Sequence, residues 1–495
     1  MSYEHFDVLI VGGGLSGIGA GYHLQTGSPV KTYAILEGRA CSGGTWDLFR
    51  YPGIRSDSDM FTLGYAFRPW KGAKAIADGA SILDYIRKTA KEHGIDEKIR
   101  FNHQVKRASW SSDVAKWTVE IERGPEREIV TLTCNFLFMC SGYYSYAGGY
   151  APEFPGAERF AGRIVHPQKW SDDIAYANKQ VVVIGSGATA MTLVPELAKA
   201  AAHVTMLQRS PTYVVSRPEQ DKIANFLRHY LPSDVAYGLA RWKNILLGMY
   251  FYNLCKRHPQ RAKALILKGV QTALGPDFDV GAHFTPRYNP WEQRLCLVPN
   301  GDLFNAIKAG RASVVTDQIV ALTERGILLR SGREIMTDLI VTATGLNLQV
   351  LGGIELSVDG RKIDPAKTLS YKGMMYSGVP NLASAIGYTN ASWTLKCDLT
   401  CDYVCRLLNF MDDNGFQQCT PLNNDPSIVE EPWVDFSSGY VRRSLDKFPK
   451  QGSKTPWKLH QNYALDLISL RFGSVQDSAM QYSTRPSATR KAVNA

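Results

Sequence analysis

Short apolar runs that end in glycine are the dominant pattern along the chain. Residues 6–11 form such a run, followed by Gly12-Gly13-Gly14-Leu15-Ser16-Gly17, a helically spaced stretch over 18–24 and a second apolar run at 32–37. A strand covered on both faces reads as a continuous apolar run, so this is strand, tight turn, helix, strand: a βαβ unit. The same pattern recurs at 180–190, with a helix to about Ala201 and a second strand over 203–209. Two further runs, 136–142 and 339–345, end in Gly142 and Gly345, where the chain is expected to cross between domains. Residues 217–286 have helical spacing and no glycine turn, and the chain from Tyr482 onward is polar and basic, which predicts a loose tail.

The predicted class is α/β, with two Rossmann-like dinucleotide-binding domains and a helical insertion. The expected division is a first domain at 1–148 that resumes at 336–481, a second at 149–215 and 287–335, an insertion at 216–286 and a tail at 482–495. A length of 495 residues agrees with about three units at the usual domain size. With 44% hydrophobic and 21% charged residues, disorder is excluded. Nine cysteines without a C-x2-C pair exclude a zinc ribbon and argue against a disulfide framework. The N-terminus lacks a secretory pattern, and the longest uncharged apolar stretch, 244–255, is too short to span a bilayer. These features predict a cytoplasmic protein. A net charge of +10 favours anionic partners. Nucleic acid is not expected, because no recognition module accompanies the charge.

The glycine turns carry the first chemistry. Gly12, Gly14 and Gly17 satisfy G-x-G-x-x-G, with Ser16 in the same loop, and Glu37 ends the next strand. Such a turn brings backbone amides to a pyrophosphate, while the acid accepts from ribose hydroxyls and repels a 2′-phosphate. The site therefore suits FAD or NAD rather than NADP. In the second unit Gly185-Ser186-Gly187-Ala188-Thr189-Ala190 is G-x-G-x-x-A, and its second strand ends in Gln208-Arg209-Ser210 without an acid. Arg209 can fork onto a 2′-phosphate, with Ser210 or Thr212 adding a hydroxyl; the alternative is an ordinary surface arginine. Opposite preferences at the two sites point to FAD in the first and NADPH in the second. A disulfide reductase is excluded, since Trp46 stands where the partner of Cys41 in a C-x4-C pair would be.

Two longer stretches are more specific. Gly43-Gly44-Thr45-Trp46 leads through Tyr51-Pro52-Gly53 to Asp57, and Phe160 leads through Gly162 and His166 to Trp170. These resemble the two fingerprints of Baeyer–Villiger monooxygenases, class B flavoproteins, and the resemblance covers nearly the whole chain. Residues 51–59, 288–304 and 387–396 resemble the ethionamide monooxygenase branch of that family. One departure is Ser171, where the family usually has Pro or Asp after the tryptophan. The resemblance implies oxidation of ketones to esters or lactones by NADPH and O2 through a C4a-peroxyflavin, with sulfoxidation as a side activity. It also implies Arg294 as the catalytic arginine and Asp57 as its partner carboxylate, with Arg287 and Asp59 as their rivals. It places Gly44, Thr45, Trp46 and Asp47 at the flavin, Arg55 and Ser56 at the NADP ribose or nicotinamide, and Val105 at the adenine. Asn390, Ser392 and Trp393 are placed near flavin and substrate, whereas His166 and Trp170 are read as linker residues. A heteroatom oxygenase acting on N and S is the alternative enzyme. A peripheral membrane protein with purely structural nucleotides is the alternative of another class.

The insertion leaves two roles open. Residues 235–276 contain no Asp or Glu but hold Arg241, Lys243, Lys256 and Arg257 beside Trp242, Leu246, Leu247 and Tyr250. The segment suits a lid over the site or a peripheral contact with the inner membrane face, through which an apolar ketone or sulfide would arrive. Cys397, Cys401 and Cys405 share one helix face and read as apolar thiols in a helix interface.

Overall fold

The computed structural model describes residues 3–434 and 436–484. Its frame is two sheets, each built around one of the glycine turns. From edge to edge the first runs Arg361–Ile363, Glu355–Val358, His103–Ser111, Lys116–Arg123, Glu128–Met139, Glu4–Val11, Tyr33–Leu36 and Ile99–Arg100. Leu382–Ser384 pairs with Glu128–Met139 beside that path. The second runs Ala312–Thr316, His203–Gln208, Gln180–Ile184, Leu339–Thr342 and Arg163–Val165, parallel throughout. The apolar runs of the sequence are the central parallel strands, where Val8, Leu9, Ile10 and Val183 are wholly buried. The antiparallel His103–Ser111 and Lys116–Arg123 alternate buried and accessible positions instead, as strands with one wet face do.

The chain crosses between the sheets twice, just after the strands that end before Gly142 and Gly345. The crossing segments lie side by side. The Ser145 amide donates to Asn347 O at 2.9 Å, Gln349 to Tyr143 O at 2.9 Å, and Tyr150 to Gly345 O at 2.9 Å. His166 adds a bond from Nε2 to Gly345 O at 3.1 Å, while its Nδ1 accepts from the Gln168 amide. Burial holds this imidazole below its ordinary pKa, so it is a neutral structural link. Trp170 packs on the second core with its ring 6.1 Å from Tyr176.

The insertion is helical, with Lys222–Tyr230, Ser233–Arg257, Pro259–Leu274 and Val280–Phe284. It leaves and re-enters between Val214–Arg217 and Cys296–Pro299, which pair with each other and so fix both its ends. Pro259 stops the long helix, because it cannot donate and constrains the residue before it. The basic-face reading needs correction at Arg241, which is buried at 6% exposure. It donates to Phe61 O at 2.9 Å and Gly64 O at 2.7 Å and faces Asp398 at 3.5 Å. It is thus a bolt between the insertion and the first sheet. Spacing alone could not show this, because the residues it meets lie far away in sequence.

Cys397, Cys401 and Cys405 are buried on the helix Trp393–Asp413, which packs against Leu15–Gly27. All nine cysteines are free thiols, and only Cys41 is not fully buried. The expected loose tail is corrected at its start. Met480–Ser483 is a strand paired with Gln418–Pro421, and Tyr482 stacks on Phe416 with ring centroids 5.1 Å apart. The rest of that tail, 485–495, lies outside the described residues.

Replacing Arg241 by Met leaves three backbone carbonyls and Asp398 without their buried cation. The expected loss is about 3 kcal/mol, read as a lowered denaturation midpoint of the FAD-loaded protein.

Candidate active site

Both glycine turns are required by contact. A Cβ on Gly17 would lie 1.8 Å from Gly12 O, so the helix can pack this closely on its strand only without a side chain. Gly12 and Gly185, at φ 111° and 135°, pass beneath the carbonyls of Cys140 and Ala343. The helices that follow, Leu15–Gly27 and Ala188–Leu197, begin without a side-chain cap and without an acid in the first turn. By contrast, Asp59, Asp78, Asp221 and Asp279 each cap the helix they precede. The two glycine helices therefore keep amides free for an anion, and a Cβ on Gly187 would meet nothing within 4 Å. Uncapped amides above open space fit the pyrophosphates of two dinucleotides.

A cavity of about 640 Å³ lies between the sheets. From the first sheet's side Gly12, Gly14, Ser16, Glu37 and Val105 line it, with Gly44, Thr45 and Trp46 from the first fingerprint. Arg55, Ser56 and Asp57 continue the wall, and Ala188 and Arg294 close it from the second sheet's side. Glu37 is 4% exposed and accepts from the Gly13 amide at 2.8 Å and the Arg39 amide at 2.9 Å. Burial raises its pKa, and those amides pull it back.

Several sequence-based placements change. Asp47 does not line the cavity. It is 1% exposed and pairs with Arg39 at 2.5 Å, Arg87 at 2.8 Å and Arg50 at 3.2 Å. Burial would raise its carboxyl, but the Cys41 thiol and the Arg39 guanidinium hold it below the usual range. Asp47 thus braces the loop beside the cavity. Arg55 reaches the cavity but is already bound to Asp302 at 2.5 Å, a bridge between the two halves. Gln208 is 1% exposed, and its amide donates to His283 O at 2.7 Å and Thr316 Oγ1 at 2.9 Å, so it points inward. Gly17 and Ala190 lie beneath the turns and serve packing. Gly185, Ser186, Gly187 and Thr189 form the second turn outside the cavity. Arg209 and Ser210 are exposed at the strand end, and Ser186 Oγ donates to Ser210 O at 3.0 Å, which ties turn to strand.

The geometry separates the rival residues at the cavity. Asp59 caps Met60–Leu63, accepting from the Thr62 amide at 3.1 Å, and takes Asn244 Nδ2 at 2.9 Å; Asp57 faces the cavity. Arg287 is exposed outside, while Arg294 lines the cavity on the loop before Cys296–Pro299. Among the described residues no carboxylate lies within 4.0 Å of the Arg294 guanidinium. Its neighbours are Tyr143, Tyr144 and Tyr440. These phenols were missed in the sequence. The Gly142 turn could have flagged Tyr143 and Tyr144, but nothing near Tyr440 points to Arg294. Trp393 also lines the cavity; its Nε1 donates to Ser16 Oγ at 2.8 Å and its ring lies 5.0 Å from that of Tyr143. Ser392 instead meets Thr62 Oγ1 at 2.6 Å, and Asn390 Nδ2 donates to Gln461 O at 2.8 Å, both outside the cavity lining.

Known proteins match this arrangement throughout. A family model described as flavin-binding monooxygenase-like matches residues 75–268. The FAD-containing monooxygenase EthA of Mycobacterium tuberculosis is 55% identical over 484 residues, covering 98% of this chain and 99% of that protein. The chain belongs to the FAD-containing monooxygenase family. The putative FAD-containing monooxygenase MymA of the same organism is 51% identical, covering 97% of this chain and 98% of its own. An oxidised steroid monooxygenase bound to NADP has the same fold, with a TM-score of 0.73 at 22% identity over 97% of this chain and 99% of its own. Membership sets aside the reading of nucleotides held only as structure. The chain is thus an FAD- and NADPH-dependent monooxygenase, and its two glycine turns offer two dinucleotide sites.

Burial raises the Asp57 pKa, opposed by Arg294 and Arg55. A raised carboxyl takes its proton at a pH above the ordinary carboxylate range, so ionised Asp57 is lost as pH falls through that raised value. The acid limb of kcat/KM is expected above the ordinary carboxylate range and absent in Asp57→Asn, measured as a pH profile of product formation.

Proposed function

We propose that this monooxygenase performs Baeyer–Villiger oxidation, converting small apolar ketones to esters or lactones with NADPH and O2. The observation that carries the reading is Arg294, a cation facing the cavity with no carboxylate of the described residues within 4.0 Å. Bound FAD, reduced by NADPH, supplies the activated oxygen. The chain's residues do the rest. The first-turn amides of Leu15–Gly27 hold the FAD pyrophosphate, and Glu37 takes its ribose. Arg209 and Ser210 take the 2′-phosphate that selects NADPH. Trp393, Tyr143 and Tyr144 exclude water beside Arg294. A ketone undergoing attack places negative charge on its oxygen, and an undischarged guanidinium stabilises that charge without giving up a proton. Asp57 is close enough to orient Arg294 without neutralising it.

A sulfide entering the same cavity takes oxygen at sulfur and develops no oxyanion, so it does not need Arg294. Wild type and Arg294→Ala are therefore compared with NADPH in air, on a ketone and on a sulfide. Ester formation is expected to fall by about 100-fold or more in the variant while sulfoxide persists. Sulfoxide without ester from the wild type would instead make the protein a heteroatom oxygenase.

Exposed apolar stripes favour a second property, peripheral binding to an anionic lipid surface. On the long helix Val235, Leu239, Trp242, Leu246 and Tyr250 recur at helical spacing, and Tyr250 is 69% exposed. Ile223, Phe226 and Tyr230 form an exposed stripe on Lys222–Tyr230, which packs against that helix. Leu465, Ile468 and Phe472 add a third beyond Tyr463, whose ring meets Trp242. Exposed Arg257, Arg261 and Lys268 of the acid-free segment 235–276 supply positive charge, whereas Arg241 is buried and Lys243 pairs with Asp221. Among the described residues no helix is long and apolar enough to cross a membrane. Such a surface lies in the headgroup region, apolar side down. The inner face of the same helix, through Ile245 and Met249, packs on Tyr388 and Ala391 of the cavity wall. It is thus both lid and contact surface. Co-sedimentation with phosphatidylglycerol vesicles is expected, weakened by Leu246→Glu and absent with neutral phosphatidylcholine. Self-association without vesicle binding would assign the stripes to a second copy instead.

A further inference from the structure

We propose that Tyr440 is a positioning residue for Arg294, held against the guanidinium by a clamp formed from 436–445. The inference rests on the role given to Arg294 above and names what holds that arginine. Tyr440 lies in the short helix Gly439–Arg442, far in sequence from every cofactor motif. The strand just before it, Glu430–Pro432, pairs with Lys450–Gly452, which closes the segment into a loop anchored at both ends. Three independent contacts fix where the loop lies. Ser437 donates to Glu292 O twice, from its amide and from its hydroxyl, each at 2.9 Å. Trp291, at φ 67°, packs with Val434, Phe436, Val441 and Tyr440 in one apolar cluster. The Arg443 guanidinium sits 3.6 Å above the Tyr150 ring on the crossing segment.

Trp291 and Glu292 are the stem of the loop that carries Arg294. The clamp therefore grips that loop on its side away from the cavity. Arg294 lines the cavity, and Tyr440, which neighbours its guanidinium, does not.

The choice of a phenol has a physical reason. A guanidinium must be held still to face a developing oxyanion, and each hydrogen-bond partner that holds it also draws on its charge. A carboxylate at contact distance would neutralise that charge. A phenol oxygen accepts an N–H and stays uncharged, since burial pushes the Tyr440 hydroxyl up to about 12 and that of Tyr144 likewise. Among the described residues, phenols rather than a carboxylate stand against Arg294, which leaves its charge available to the cavity.

Tyr440→Phe tests this, because it keeps the ring that packs on Trp291 and removes only the oxygen. Three quantities are measured on the FAD-loaded protein: ester formed per NADPH consumed, KM and kcat for the ketone, and labelling of Arg294 by phenylglyoxal, read by peptide mass spectrometry. The expected result is unchanged reduction of FAD by NADPH and an unchanged KM. Ester per NADPH falls about tenfold, the size of one charge-assisted hydrogen bond, and Arg294 is labelled several-fold faster. Ser437→Ala, which loosens the same loop at Glu292, is expected to speed labelling as well. Labelling and coupling both equal to wild type in Tyr440→Phe would overturn the proposal. Faster labelling, together with full ester formation by Arg294→Ala, would uphold the clamp and overturn the role given to Arg294.

Discussion

The centre of the molecule depends on two crossing segments held together by backbone hydrogen bonds. Residues 143–150 and 345–349 exchange three such bonds, and His166 adds a fourth contact to Gly345. These segments do more than connect. The carbonyls just before them, on Cys140 and Ala343, are the surfaces under which Gly12 and Gly185 turn. The distance between the two cofactor turns is thus set by one short ladder. The same ladder carries Tyr143 and Tyr144 to Arg294, and Arg443 reaches it through Tyr150. A change in this ladder would move both cofactor sites and the arginine at once.

Charge is distributed around that ladder with a consistent logic. Where the structure needs rigidity, carboxylates are saturated: Asp47 holds three guanidinium groups, and Asp302 holds Arg55 across the two halves. Where the chemistry needs an available charge, partners are neutral or at a distance. Arg294 has phenols around it, and the two glycine helices begin without the aspartate caps used elsewhere in the chain.

Much of this was legible in the sequence, because the features that define it are local. Parallel strands are apolar on both faces, so their runs stand out, and the glycine turns that follow them have a fixed spacing. Gly12, Glu37, Asp57 and Arg294 reach the cavity from such motifs or from the family fingerprints that frame them. The misplacements share one cause. Asp47, Gln208 and Arg241 are polar residues with partners elsewhere in the sequence, and a motif says that a side chain is near the site without saying which way it turns. Asp47 turns to Arg87, Gln208 to His283, and Arg241 to Phe61 and Gly64. Tyr440 was invisible for the same reason, and Met480–Ser483 was hidden because only Met480 of its four residues is buried.

The cysteines acquire a different meaning beside this chemistry. A reduced flavin in air sheds some of its electrons as peroxide, and the first protein exposed to that oxidant is the one that makes it. Thiolates, not thiols, are what peroxide attacks. Eight of the nine cysteines here are buried. The ninth, Cys41, is held in its protonated form by burial and by its hydrogen bond to Asp47. The sulfur of this chain is stored where its own waste product finds little to react with, so the fold that activates oxygen also limits what stray oxidant can do to it.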